Sequence, residues 1–192
     1  MARQSINTLS LVQGYYWRSH LQAGACCIDA TAGNGYDTEL LCRLSGEQGR
    51  VLAFDIQPEA IAATRKRLSE AGLTAQVIQD SHTEMAKYAA ANSVDAIVFN
   101  LGYLPRGDHR IATKPETTIT AIDVGLSLLK PGGIMTLCVY QGGDTGFAER
   151  DTVLTHLQNL DAKHYTVVVS DFVNRPHDPP LAVLIIKEKV DS

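Results

Sequence analysis

Short apolar runs alternate with amphipathic stretches along almost the whole chain. Residues 26–28, 51–54, 75–78, 96–99 and 134–140 are apolar runs, most of them closed by a polar or glycine-containing segment. Runs of this kind predict strands buried on both faces of a sheet. Helical spacing predicts helices over 38–44, 58–71, 82–91, 117–129 and 146–160. In the second of these, Pro58 suits the first turn, Ile61, Leu68 and Ala71 share one face, and Gly72 stops the helix. Two more strands, 165–171 and 181–187, follow with only a Pro-rich loop between them, so they are expected to pair antiparallel. Residues 3–21 predict a helix that precedes the first strand and packs beside the site.

Strands alternating with helices define an α/β architecture, a mostly parallel sheet of seven strands with the last one antiparallel. The length of 192 residues suits a single domain. Hydrophobic residues at 45% and charged residues at 20% are ordinary globular values, which exclude a disordered or fibrous chain. No run approaches the ~18–20 apolar residues of a membrane helix. Residues 1–22 lack the apolar centre of a signal peptide, with Gln4, Ser5, Asn7 and Gln13 among them. A cytoplasmic protein is the expectation.

The net charge of -4 argues against broad, sequence-blind binding to long nucleic acid. A small RNA held by a local basic patch stays open. The four cysteines, Cys26, Cys27, Cys42 and Cys138, show no C-x-x-C spacing. Buried free thiols are expected, and no metal site.

The candidate chemistry lies at strand ends. Ile28-Asp29-Ala30-Thr31-Ala32-Gly33-Asn34-Gly35 joins the first strand to the first core helix. Glycines there allow a ligand close to the backbone. Asp29 at the strand end can hold an ammonium group and would repel a pyrophosphate. Asp55 ends the second strand, where a carboxylate accepts hydrogen bonds from ribose hydroxyls. Asp80-Ser81-His82 ends the third, where an adenine edge would lie. Together these residues fit S-adenosylmethionine, which carries an ammonium, a ribose and an adenine but no phosphate. The third glycine of a dinucleotide fingerprint is replaced by Thr38, which disfavours NAD. No P-loop, G-x-S-x-G elbow or H-E-x-x-H motif occurs.

Asn100-Leu101-Gly102-Tyr103-Leu104-Pro105 follows the fourth strand and is similar to the Asn-Pro-Pro-Tyr loop of amine-directed methyltransferases. An Asn oxygen and loop carbonyls accept an amine's protons and aim its lone pair at the methyl group. An aromatic ring stacks on a flat base or sits against a sulfonium. Asn100 and Tyr103 are therefore the candidate catalytic residues. Arg106, Asp108, His109 and Arg110 continue this loop, with Lys114 beyond. Arg175 and His177 lie in the last loop, where the two loops can form a basic ledge for phosphates. Gly142-Gly143-Asp144-Thr145-Gly146 is either another substrate loop or a flexible turn. A small-molecule amine or another RNA remains an alternative substrate. A methyltransferase-like binding module without chemistry is disfavoured by the intact Asp29, Gly33, Gly35, Asp55 and Asn100 set.

These strings, with Phe54-Asp55-Ile56-Gln57 and the Thr117-Thr118 helix start, resemble the family long labelled putative rRNA methylase, of the YtqB/MnmM type. The resemblance runs over about residues 7–188. It implies a Rossmann-like class I fold and an S-adenosylmethionine-dependent tRNA methyltransferase. The implied reaction converts the aminomethyl group of wobble 5-aminomethyl-2-thiouridine, in the anticodon loop, to methylaminomethyl. By matching positions, Asn34, Asp37, Asp55, Gln57, Ser81 and His82 would line the cofactor, beside the Asp29, Gly33 and Gly35 already named. Asn100, Tyr103, Leu104, Pro105, Arg106 and Asp108 would face the target nucleotide, with Arg110 and Arg175 toward its phosphates. A homodimer is also implied. Thr31 stands where the general methyltransferase loop has glycine. Tyr36 and the Tyr140-Gln141-Gly142-Gly143 exit stand where relatives are expected to carry histidines.

Overall fold

The computed structural model describes residues 6–101, 115–141, 143–176 and 179–189, except for the side chains of 143–148. Seven strands form one sheet in the order β3-β2-β1-β4-β5-β7-β6. They are β1 (Cys26–Asp29), β2 (Arg50–Asp55), β3 (Gln76–Gln79), β4 (Val94–Leu101), β5 (Leu129–Val139), β6 (Tyr165–Ser170) and β7 (Leu181–Lys187). The first five run parallel, and β7 lies antiparallel to both β5 and β6. Chain order reverses between β1 and β4, which opens a crevice at the carboxyl ends of those strands.

Alternation along each strand sends side chains to two cores. Ile28, Leu52, Phe54, Ile97 and Phe99 enter one with the helix Pro115–Leu128. Cys27, Val51, Ala96, Val98 and Cys138 enter the other. The helices Tyr36–Ser45 and Pro58–Glu70 pack there through Leu41, Cys42 and Leu68, together with Val12 and Trp17. Among the described residues no helix is long and apolar enough to cross a membrane.

Most expected elements stand within a few residues of their observed bounds, and three differ for physical reasons. The segment expected to be a helix over 82–91 is a 3-10 helix, His82–Lys87. Met85 is its one fully buried side chain, which gives too small an apolar face to hold a longer α-helix. β5 begins at Leu129 rather than 134, but Val94 faces Leu129 and Ala96 already faces Ile134. The intervening Lys130-Pro131-Gly132-Gly133 forms an irregularity, because Pro131 has no N–H and Gly132 sits at φ 83.

The third difference is the N-terminal helix. It is capped by Asn7, so residues 6 and 7 stand outside it. It runs as α-helix over Thr8–Leu11, as π-helix over Val12–Trp17 and as α-helix over Arg18–His20. Val12 and Trp17 are five apart and both 1% exposed. Positions five apart diverge around an α-helix, whereas i→i+5 bonding brings them onto one face. The Trp17 indole N–H donates to Thr136 Oγ at 2.9 Å, which fastens this turn to β5.

Candidate active site

The strand register sets the depth of each candidate residue. Asp29 is level with Ala53 of β2 and Val98 of β4. Asp55 and Asn100 therefore reach two residues further, to the rim of the crevice. Asp29 stays below the rim and is 1% exposed. Its carboxylate accepts the Thr31 N–H at 3.1 Å and the Thr38 hydroxyl at 2.6 Å. Asp29 thus braces the loop from the floor of the crevice. Burial, then the nearby Asp37 charge, raises its pKa to about 7.

The loop over Asp29 is held at each turn. Ala32 N–H donates to Phe54 O at 2.9 Å, and Thr64 Oγ donates to Gly33 O at 3.1 Å. Gly35 caps the helix Tyr36–Ser45 at φ 77, a conformation that favours glycine. A Cβ there would lie 2.9 Å from the Thr64 backbone, so the loop presses directly on the helix Pro58–Glu70. Asn34 is exposed, and its carbonyl accepts Arg67 Nε at 2.7 Å. The Arg67 guanidinium lies 3.5 Å over the Tyr36 ring and pairs with Glu39 at 3.3 Å.

Asp55 closes the same loop from β2. One carboxylate oxygen accepts the Gly33 N–H at 3.0 Å and the other the Gln57 N–H at 2.9 Å. Each oxygen keeps further acceptor capacity for a hydroxyl. Ile56, between these two residues, is 56% exposed, an apolar surface on the rim. Ser81 caps the next helix by accepting the Thr83 N–H at 3.2 Å. His82 packs edge-on against Phe99 at 5.9 Å between ring centroids. Burial lowers the His82 pKa, against a hydrogen bond with the Ala30 backbone and the Asp55 charge. Burial thus favours its neutral imidazole form.

Asn100 sits at the end of β4. Its backbone N–H donates to Thr31 Oγ at 2.7 Å, and its side-chain amide donates to the Asp37 carboxylate. The Thr31 hydroxyl, at the position where the general loop has glycine, thus joins the β1 loop to β4. Asp37 is 7% exposed, and its other oxygen accepts Gln13 Nε at 2.5 Å from the N-terminal helix. Burial raises the Asp37 pKa, while the bonds from Gln13 and Asn100 oppose that rise.

Asp29, Gly33, Asn34, Gly35, Asp37, Asp55, Gln57, Ser81, His82 and Asn100 therefore belong to one crevice, with Asp29 at its floor. Arg175 lies in the loop before β7. It donates to Ile6 O at 3.2 Å and lies 5.6 Å over the Phe172 ring. Tyr103, Leu104, Pro105, Arg106, Asp108, His109, Arg110, Lys114 and His177 lie outside the described residues. Gln13, Thr31 and Arg67 were not expected from the pattern. For Gln13 the signal was its place in the helix expected beside the site. Thr31 stood out as a departure from glycine, and Arg67 had no distinguishing mark.

The crevice fits the cofactor on its own donor set. It combines a bare glycine loop, a rim carboxylate with free acceptor capacity, an exposed aliphatic face at Ile56 and a neutral polar edge at Ser81 and His82. No cluster of cations for a pyrophosphate lines it among the described residues. This fold and site define a class I S-adenosylmethionine-dependent methyltransferase.

The chain belongs to the family described as "Putative rRNA methylase", whose model matches residues 51–186. It is 33% identical over 183 residues to an Arabidopsis thaliana protein named tRNA (mnm(5)s(2)U34)-methyltransferase, chloroplastic, covering 90% of this chain and 67% of that one. A crystal structure described as a "putative rRNA-methylase" from Clostridium thermocellum is 45% identical, with a TM-score of 0.92 over 96% of this chain and 100% of that one. A Streptococcus mutans "putative methyltransferase" crystallised in complex with SAH is 35% identical, with a TM-score of 0.86 over 96% of this chain and 99% of that one.

Proposed function

We propose that this methyltransferase acts on tRNA, transferring a methyl group to the aminomethyl nitrogen of wobble 5-aminomethyl-2-thiouridine. The observation that carries this reading is the Asn100 amide at the end of β4, whose N–H₂ is committed to Asp37. An ionised carboxylate accepts only, so the amide must turn its nitrogen to Asp37 and keep its oxygen for another donor. An oxygen at the crevice rim suits an amine nucleophile, whose N–H it accepts while the lone pair points away along the transfer direction. The name of the Arabidopsis relative supports the choice of nucleoside.

When bound, S-adenosylmethionine supplies an electrophilic methyl group on a sulfonium. The loop Gly33-Asn34-Gly35, Asp55, Gln57, Ile56, Ser81 and His82 would hold it. A carbon–nitrogen bond forms, the carbon–sulfur bond breaks and the product ammonium releases a proton. Asn100 orients the amine, and Tyr103, in the loop that follows it, is assigned to the face toward the target nucleotide. Leu104, Pro105, Arg106, Asp108, Arg110 and Arg175 are assigned to the nucleotide and its phosphates. One domain acting as a homodimer in the cytoplasm completes the reading.

The test is methyl transfer to tRNA bearing wobble aminomethyl-uridine, with labelled cofactor and nucleoside mass spectrometry. Appearance of the methylaminomethyl nucleoside is expected. Cofactor binding without that product would overturn the tRNA assignment in favour of ribosomal RNA or a small amine.

A further inference from the structure

We infer that Gln13, on the N-terminal helix, is a positioning residue for methyl transfer: it fixes the Asp37 carboxylate that in turn holds the Asn100 amide with its oxygen toward the incoming amine. The inference rests on the proposed role of that oxygen. It assigns a task to a helix outside the strand-and-loop machinery.

The geometry is a three-residue chain. Gln13 Nε donates to one Asp37 oxygen at 2.5 Å, and the Asn100 amide donates to the other. With one donor on each oxygen, the carboxylate plane is set from both sides. Gln13 itself is placed by a helix fastened at several points. Trp17 bonds Thr136 at 2.9 Å, the Tyr16 hydroxyl meets Ser170 Oγ at 2.7 Å, and Thr8 Oγ donates to Pro180 O at 2.5 Å. The π-turn that buries both Val12 and Trp17 holds the intervening Gln13 half-buried.

The chemical consequence follows from what Asp37 becomes without this bond. Its side chain is 7% exposed and shares its surroundings with the Asp29 carboxylate and the Cys138 thiol, both of which feel its charge. Burial favours its protonated form, and the Gln13 bond opposes that. A protonated carboxyl can donate. It would then satisfy the Asn100 oxygen and turn the amide round, so that N–H₂ faces the amine. Two sets of donors would meet, and the lone pair would lose its guide.

Gln13→Met keeps the length and removes the donor; Gln13→Glu keeps the shape and adds a competing carboxylate. For both, turnover with aminomethyl-uridine tRNA is expected to fall roughly tenfold or more, the cost of a misplaced nucleophile. The SAH dissociation constant is expected to change far less than turnover, because Gln13 bonds Asp37 and not the glycine loop. The acid limb of the kcat profile is expected to move to higher pH, as is the Asp37 carboxyl midpoint read by carbon-13 NMR on the free protein. Should Gln13→Met unfold, Gln13→Glu carries the same test.

Unchanged turnover and an unmoved acid limb would overturn the inference. So would a loss of activity traced wholly to SAH affinity. The NMR titration needs no substrate, so it separates two failures. A wild-type protein inactive on tRNA overturns the proposed function, whereas an Asp37 midpoint unmoved by either variant overturns the role of Gln13.

Discussion

The Asp55 carboxylate at the end of β2 accepts the Gly33 N–H at 3.0 Å, so the acid of the second strand braces the glycine loop of the first. The same carboxylate also holds the Gln57 N–H at 2.9 Å, at the start of the helix Pro58–Glu70. Ligand contact and loop shape therefore depend on one side chain. Asp55→Ala is expected to weaken S-adenosylmethionine binding by roughly tenfold or more, since charged hydrogen bonds are each worth about 1.5–3 kcal/mol. Isothermal titration calorimetry checks this. An affinity within twofold of wild type would place the ribose elsewhere.

Asn100→Ala separates orientation from cofactor binding. Turnover is expected to fall about a hundredfold, the order of loss for a displaced reacting group. Cofactor affinity is expected to remain within about threefold. Equal losses in both would make Asn100 a cofactor-positioning residue. Single-turnover transfer beside equilibrium binding measures the two separately.

Asp29 carries a pH dependence of stability. Its folded pKa is raised to about 7 by burial and by Asp37, above the ordinary carboxylate value of about 3.9. The folded state then holds a proton that the unfolded chain has released. Its contribution is full below about pH 4 and is lost as the pH climbs toward 7. Asn can accept from the Thr31 N–H and donate to Thr38, so Asp29→Asn keeps the brace without the charge. The Tm of Asp29→Asn relative to wild type is expected to rise between pH 4 and pH 8. A difference that stays flat or falls over that range, by differential scanning calorimetry, would refute it.

Gly35→Ala tests the fit of loop against helix. The residue sits at φ 77, and its new Cβ would approach Thr64 Cα to 2.9 Å. Backbone lies on both sides of this contact, so neither can yield cheaply. A loss of about 1–3 kcal/mol in urea unfolding is expected, together with weaker cofactor binding. Gly24→Ala has positive φ without a near neighbour. It is expected to lose less stability and leave the cofactor affinity unchanged.

Trp17→Phe probes the attachment of the N-terminal helix. The indole N–H bonds the Thr136 hydroxyl inside a core where both residues are 1% exposed. Removing one partner leaves the other buried and costs about 1–3 kcal/mol. Chemical unfolding reads the loss, and a value near zero would mean that the Thr136 hydroxyl finds a new partner.

The alternating apolar runs made the α/β sheet and its reversed last strand legible, because burial on two faces writes itself into composition. Strand-end acids marked the crevice, because parallel strands deliver their carboxyl ends to one side. Depth was not legible. Asp29 and Asp55 look alike in the sequence, yet a register offset of two residues buries one beneath the loop and leaves the other at the rim. Nor was the bond from Gln13 to Asp37, which depends on a π-turn that no local pattern announces. The same limit holds for Thr31, whose hydroxyl matters only once β4 brings the Asn100 N–H within reach. The segment around Met85 misled for a simpler reason: its residues favour a helix, but packing on Met85 alone rewards only a short 3-10 helix.

The place of β7 bears on how the chain is made. It lies between two strands that precede it in the sequence, so β5 has no outer neighbour of its own until β7 emerges. From Ile134 to Val139 that uncovered strand is almost entirely buried in the finished sheet. During synthesis the nascent protein therefore exposes a sticky apolar border until β7 itself has left the ribosome. A stop codon within β7 is accordingly expected to yield aggregates or degradation products rather than a slower enzyme, even though the crevice lies on strands already translated.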